Sequence, residues 1–279
     1  GCGSTSLYAA NAYAGNTTLK SGVVVLNNNS ALSTGDLVAQ GGALGSLTGV
    51  TLLNRVLADA DFVVATDSAF HFGGEFILNG NRNITAANTQ TVNFDSAISD
   101  GGNGYSLTKR SLGVWQLNAP CTYGGSTHID RGTLQIGTTN ALPVGTDLTI
   151  SGFISAGNST IPGSLNLNGF DQTVASVRRG PYGARNAVTV TGTNNRCFTV
   201  NYNGVTPLLY DGLITGAMCL GKDGTGTLEL TGQNTYSSGT QIRSGTLRAG
   251  TGTTGTITNG PVGVGLVQIN DGTVFDIGD

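Results

Sequence analysis

Between residues 226 and 250 the chain reads GTLELTGQNTYSSGTQIRSGTLRAG, and its apolar and polar positions alternate. Leu228 and Leu230, Thr240 and Ile242, and Leu247 and Ala249 share one parity, while Glu229, Gln241 and Arg248 take the other. A period of two predicts short, half-buried strands, and the Gly, Asn and Ser-Gly steps between them predict turns. The same pattern occurs in GVWQLNAPCTYGGSTHIDRGTLQIG (113–137) and GSTSLYAANAYAGNTTLKSGVVVLN (3–27). Aligned without gaps on Tyr13, Tyr123 and Tyr236, the windows repeat Thr17, Thr127 and Thr240, then Leu19, Ile129 and Ile242. Gly22, Gly132 and Gly245 follow, then Val24, Leu134 and Leu247, with Leu7, Leu117 and Leu230 upstream. Lys109 and Lys222 fall in register ahead of the second and third windows. The tyrosines lie 110 and 113 residues apart, so the period is long and nearly constant.

No segment sustains a helical period. The best helical candidate, TLLNRVLADADFVVA (51–65), reads equally well as two strands, VTLLNRVLAD and FVVATD, around a turn. Short strands joined by small-residue turns, repeating in register, describe a solenoid in which each coil buries its inner face against its neighbours. Coils of about 20 to 25 residues, stacked about 4.8 Å apart, predict roughly a dozen turns of parallel β-helix. The expected organisation is one solenoid over 1–279, built of repeats at about 1–110 and 111–223 and a truncated copy at 224–279. Leu7, Leu19, Val24, Leu117, Ile129, Leu134, Leu230, Ile242 and Leu247 are expected inside, with His128, Gln135, Glu229 and Arg248 outside. Trp115 takes the inward position of Leu228, which predicts core packing rather than a sugar platform.

The segment LGKDGTGTLELTGQNTYSSGTQIRSGTL (220–247) resembles the autotransporter-associated β-strand repeat, also called the passenger-associated transport repeat. LTKRSLGVWQLNAPCTYGGSTHIDRGTL is a more diverged copy, and the first window is more diverged still. The resemblance implies an all-β, right-handed parallel β-helix, extracellular or on the bacterial cell surface, and it implies no enzymatic activity.

Composition narrows the reading further. Gly contributes 45 of 279 residues without a collagen triplet, and only 10% of residues are charged, which excludes a disordered polyelectrolyte. A net charge of −3 leaves no basic footprint for nucleic acid. No apolar run reaches the roughly 18 to 20 residues that span a bilayer, so no membrane insertion of this segment is expected. Cys2, Cys121, Cys197 and Cys219 lack CxxC spacing, and with two histidines in the chain a metal site is not expected. Cys197 and Cys219 are 22 residues apart, about one coil, so they are candidates for a disulfide between adjacent rungs.

Little else in the chain reads as chemistry, and no cofactor is expected. Asp59, Asp61, Asp95 and Asp100 are the candidates for a polysaccharide-cleaving site, since glycosidase chemistry needs two carboxyls about 5 to 10 Å apart. Acids in Gly-rich turns more often serve as Asx-turn residues. His71 and His128 have no nucleophile in register with them. Asn27, Asn28 and Asn29 read as turn or stacked-ladder residues, and Asn16, Asn28, Asn83 and Asn158 lie in glycosylation sequons. Neither terminus reads as a cap. The favoured expectation is a non-enzymatic subunit of an extracellular filament, whose partners are copies of itself joined head to tail through Gly1, Cys2, Gly3, Phe275 and Ile277. The alternatives are a passenger or adhesin fragment with surface glycans as partners, or a polysaccharide-cleaving β-helix enzyme.

Overall fold

The computed structural model describes residues 3–86, 89–154, 160–181, 189–250 and 260–277. Among these residues every regular element is a strand, and no helix is long and apolar enough to cross a membrane. The chain divides into two compact units, one of residues 1–128 and 132–135, the other of 129–131 and 136–279.

In the first unit three ladders of parallel strands run alongside one another. One joins Ser4–Leu7, Val23–Leu26, Ala43–Gly45, Phe62–Val64, Arg82–Ala86 and the start of Leu107–Leu117. The second joins Thr17–Leu19, Leu37–Ala39, Val56–Ala58, Phe76–Leu78 and Ile98–Ser99. The third joins Val50–Leu52, Phe70–Phe72, Val92–Phe94 and the end of Leu107–Leu117. Partners such as Leu37 and Val56, or Val50 and Phe70, are about one coil apart in sequence, as a stacked parallel β-solenoid requires. The segment read as two strands over 50–67 forms three. VTLLNRVLAD breaks at residues 53–55 because the buried Asn54 amide donates to Ser33 O at 3.1 Å and Gly35 O at 2.6 Å, turning the chain over the preceding coil.

The second unit repeats the plan. Gln172–Val174 pairs with residues 198–200, then come residues 220–222, Thr240–Ile242 and Val267–Ile269. Residues 164–166, 189–191 and 213–215 form another ladder with Thr235–Tyr236. Leu208–Tyr210, residues 228–230, Thr246–Ala249 and Val274–Asp276 form the third. One departure from parallel pairing is the antiparallel match of Gly152–Ile154 with residues 160–162.

The alternation read from sequence sets the core. Leu19, Leu117, Ile129, Leu134, Leu230, Ile242 and Leu247 are buried, whereas His128, Gln135, Glu229 and Arg248 are half-buried on the opposite parity. Leu7 and Val24, expected inside, are only half-buried; Leu26, opposite Leu7, is the fully covered residue there. Trp115 packs inside the first unit at the end of an aromatic run, 5.2 Å from Phe94, which lies 5.1 Å from Phe72 and 5.3 Å from Phe76. Such contacts add to the large apolar area each ring removes from water.

Candidate functional site: polar ladders between coils

Parallel stacking places side chains one coil apart in sequence side by side, so outward polar residues meet across coils. On one face of the first unit Thr51, His71, Asn93 and Gln116 share register positions. His71 Nδ1 lies 2.8 Å from Asp95 Oδ2, and its Nε2 lies 3.3 Å from Asn93 Nδ2. Asp95 Oδ1 also accepts from Asn118 Nδ2 at 2.7 Å; Gln116 donates to Asn118, and Gln135 donates to Gln116 at 2.8 Å. One hydrogen-bonded chain thus runs across four coils. Both ring nitrogens of His71 and both carboxylate oxygens of Asp95 are engaged by side chains of neighbouring coils.

The other candidate acids are held the same way. Asp59 accepts from Asn79 Nδ2 at 2.6 Å and from Gln40 Nε2 at 3.3 Å, one coil to either side. Asp61 accepts both the backbone N–H and the amide of Asn83. Asp100 is buried and accepts the N–H groups of Gly102, Tyr105 and Gly124 at 2.7 to 3.0 Å, organising the DGGNGY turn. Burial alone would raise the Asp100 carboxyl, but those backbone donors and that of Gly104 hold it below the usual range. Among the described residues no group of three or more His, Cys, Asp or Glu side chains could hold a metal ion.

Ion pairs also bridge coils. Arg55 grips Asp36, Arg179 grips Asp211 and Arg243 grips Asp223, each through two nitrogens at 2.6 to 3.1 Å. Arg248 bonds Asp276 at 2.7 Å. Asparagine carbonyls cross the turns as well: Asn16, Asn27 and Asn29 accept the N–H groups of Asp36, Leu47 and Thr51 on the following coil, while Asn28 accepts locally from Ser30. Asn158 lies outside the described residues.

Cys197 and Cys219 stand opposite each other with Cα atoms 4.5 Å apart and are joined by a disulfide. Cys121 is a buried free thiol, which burial pushes up to about 12. Gly1 and Cys2 lie outside the described residues; Gly3 and Ile277 are exposed, and Phe275 is half-buried opposite Leu247. The lysines share the inward parity of Trp115 and Leu228, though their charge gave no reason to expect burial. Lys109 and Lys222 occupy interior columns, opposite Ile84 in one case and between Val200 and Ile242 in the other, and both are fully buried. Burial pulls the Lys222 ammonium down to about 8, with Asp223 opposing the shift.

Stacked parallel coils whose polar side chains serve their neighbours define a β-solenoid repeat protein. The chain carries three passenger-associated transport repeats: that family matches at residues 1–26, 107–136 and 220–249. It is also similar to the adhesin BmaC autotransporter of Brucella suis biovar 1 (strain 1330), with 31% identity over 243 residues. That match covers 84% of this chain and 6% of the relative, so the chain spans a small fraction of that protein's length. No solved structure matches the chain.

Proposed function

We propose that this chain is a length of autotransporter passenger, a non-enzymatic scaffold exposed on the bacterial surface that serves adhesion. The observation that carries the reading is the repeat itself. Three copies share one register and lie within a solenoid whose outward acids, amides and arginines bridge coil to coil. Similarity to an autotransporter adhesin over most of the chain supports the same reading. The test is to probe intact and permeabilised cells with antibodies against residues 1–279, and to compare adherence of parent cells with cells lacking this segment. Surface labelling with reduced adherence is expected; labelling only after permeabilisation would overturn the reading. Purified chain is expected to leave acidic and neutral polysaccharides uncut.

A further inference from the structure

Lys222 Nζ, in the middle of an aliphatic column, donates to Asp223 O at 2.6 Å, Gly224 O at 2.7 Å and Ser244 O at 3.2 Å. The first two carbonyls belong to its own turn and the third to the next coil. Lys109 Nζ, at the equivalent repeat position, donates to Ser111 O at 3.0 Å and Gly113 O at 2.9 Å and lies 5.8 Å from the Trp115 ring centre. The carbonyl two residues after the lysine is thus a partner in both copies. A buried ammonium is tolerated only where such acceptors replace its water.

A second repeated residue closes over each of these sites. Gly245 and Gly132 both hold positive φ, 69° and 67°. A Cβ on Gly245 would meet Gly224 O at 2.3 Å, Gly226 O at 2.6 Å and Lys222 Nζ at 2.9 Å. A Cβ on Gly132 would meet Ser111 O at 2.3 Å and Leu112 O at 2.6 Å. In each copy the glycine comes 23 residues after the lysine and presses, without a side chain, on a carbonyl that the lysine holds, Gly224 O in one and Ser111 O in the other.

We infer that the repeat's buried lysine and the glycine one coil later form a register key, which admits the next coil in one pairing only. The need for a key follows from the pattern. A one-residue slip between coils is rejected because it turns every apolar side chain outward, but a two-residue slip keeps the parity and leaves the aliphatic columns filled. The key is therefore a contact that separates the two pairings, beside the grip of Arg243 on Asp223 across the same coils. Shifted by two residues, the Ser244 carbonyl leaves the ammonium, and Gly245 is replaced over the carbonyls by Arg243 or Leu247, for which there is no room. The lysine therefore works against misalignment during folding, and its burial has a cost that an aliphatic residue would not carry.

The test reads register rather than stability. Thr227 and Thr246 are paired across the same two coils, so cysteines placed at both lie within disulfide reach only in the native register. In the full chain, with Cys2 and Cys121 replaced by serine and Cys197 and Cys219 kept, Thr227→Cys/Thr246→Cys is refolded under oxidising conditions and its links are mapped by peptide mass. With Lys222 present a single 227–246 link is expected. In the Lys222→Met background its yield should fall at least threefold, in favour of unlinked or mispaired protein. Should Lys222→Met fail to fold, Lys222→Gln, which keeps two donors but no charge, decides by the same yield. An undiminished 227–246 link in the folded variant would overturn the inference.

Discussion

The hydroxyls of Tyr236 and Thr240 lie 2.5 Å apart, both buried, across the Ser-Ser-Gly turn that separates them. Tyr123 and Thr127 repeat the contact at 2.6 Å, and Tyr13 and Thr17 at 2.5 Å. The first pair differs in one respect, because Tyr13 is 41% exposed. The tyrosine that aligns the repeats therefore staples the turn between two strands, and the value of the staple depends on its burial. Tyr236→Phe and Tyr123→Phe should each lower unfolding stability by about 0.5–1.5 kcal/mol, since a buried tyrosine–threonine hydrogen bond is lost. Tyr13→Phe should leave the denaturant midpoint unchanged, because water replaces the lost bond.

Trp115 fills an interior position that holds leucine in the third repeat, and it is fully buried against Phe94. Trp115→Ala should destabilise the chain by about 3–5 kcal/mol, as large-to-small core substitutions do. The loss should appear as a lowered denaturant midpoint. A solvent-facing sugar platform would give almost none.

The link between Cys197 and Cys219 closes a loop of 22 residues and pins adjacent coils. Reduction, or the Cys197→Ser/Cys219→Ser pair, should cost about 2–4 kcal/mol. Peptide mapping under non-reducing conditions should recover the two cysteines together and Cys121 as a free thiol.

These three features were legible in the sequence to different degrees, for physical reasons. Alternation at fixed repeat positions marks which residues face inward, so the inward placement of Leu230, Ile242 and Trp115 follows from the pattern alone. The separation of Cys197 and Cys219 matched a coil length and placed them on neighbouring rungs. Which outward residues meet is a different matter. It depends on the length of each coil, and coils here differ: Val50 pairs with Phe70, twenty residues on, whereas Val92 pairs with Trp115, twenty-three on. The chain from His71 through Asp95 to Gln135 was therefore invisible to parity. The buried lysines do share the inward parity, Lys109 with Trp115 and Leu117, but a charged residue in an inward column runs against the pattern unless the turn supplies carbonyls. The reading of VTLLNRVLAD as one strand failed similarly, since the corner at Asn54 is made by bonds to a coil twenty residues earlier.

Asp100 should control acid stability near its turn. Its carboxyl is held below the ordinary value of 3.8 by backbone donors, so its contribution is complete above that value and is lost as pH falls through the lower, folded-state value. Asp100→Ala leaves the Gly102, Tyr105 and Gly124 donors unmatched and should cost about 1–3 kcal/mol at neutral pH. Stability of the parent should approach that of the variant as the pH is lowered below 3.8. A gap that stays constant through that range would count against this role.

Lys222 should give a pH dependence of the same sign, in the alkaline range. Its folded-state value is about 8, against 10.5 for a free lysine. Above about pH 8 the folded chain releases this proton while the unfolded chain still holds it, so unfolding takes up a proton and stability rises with pH. The window runs from about 8 toward 10.5. Buried Tyr123, Tyr210 and Tyr236 act the other way at its upper edge: burial raises all three, so unfolding releases their protons more readily as the pH passes about 10. Subtracting a Lys222→Met variant removes that shared effect. Measured by denaturant unfolding at pH 7.5, 8.5 and 9.5, the parent should gain stability relative to Lys222→Met at each step. A difference that is flat or falls over this range would mean that the ammonium is not buried at a cost, and that the carbonyls around it satisfy it as fully as water does.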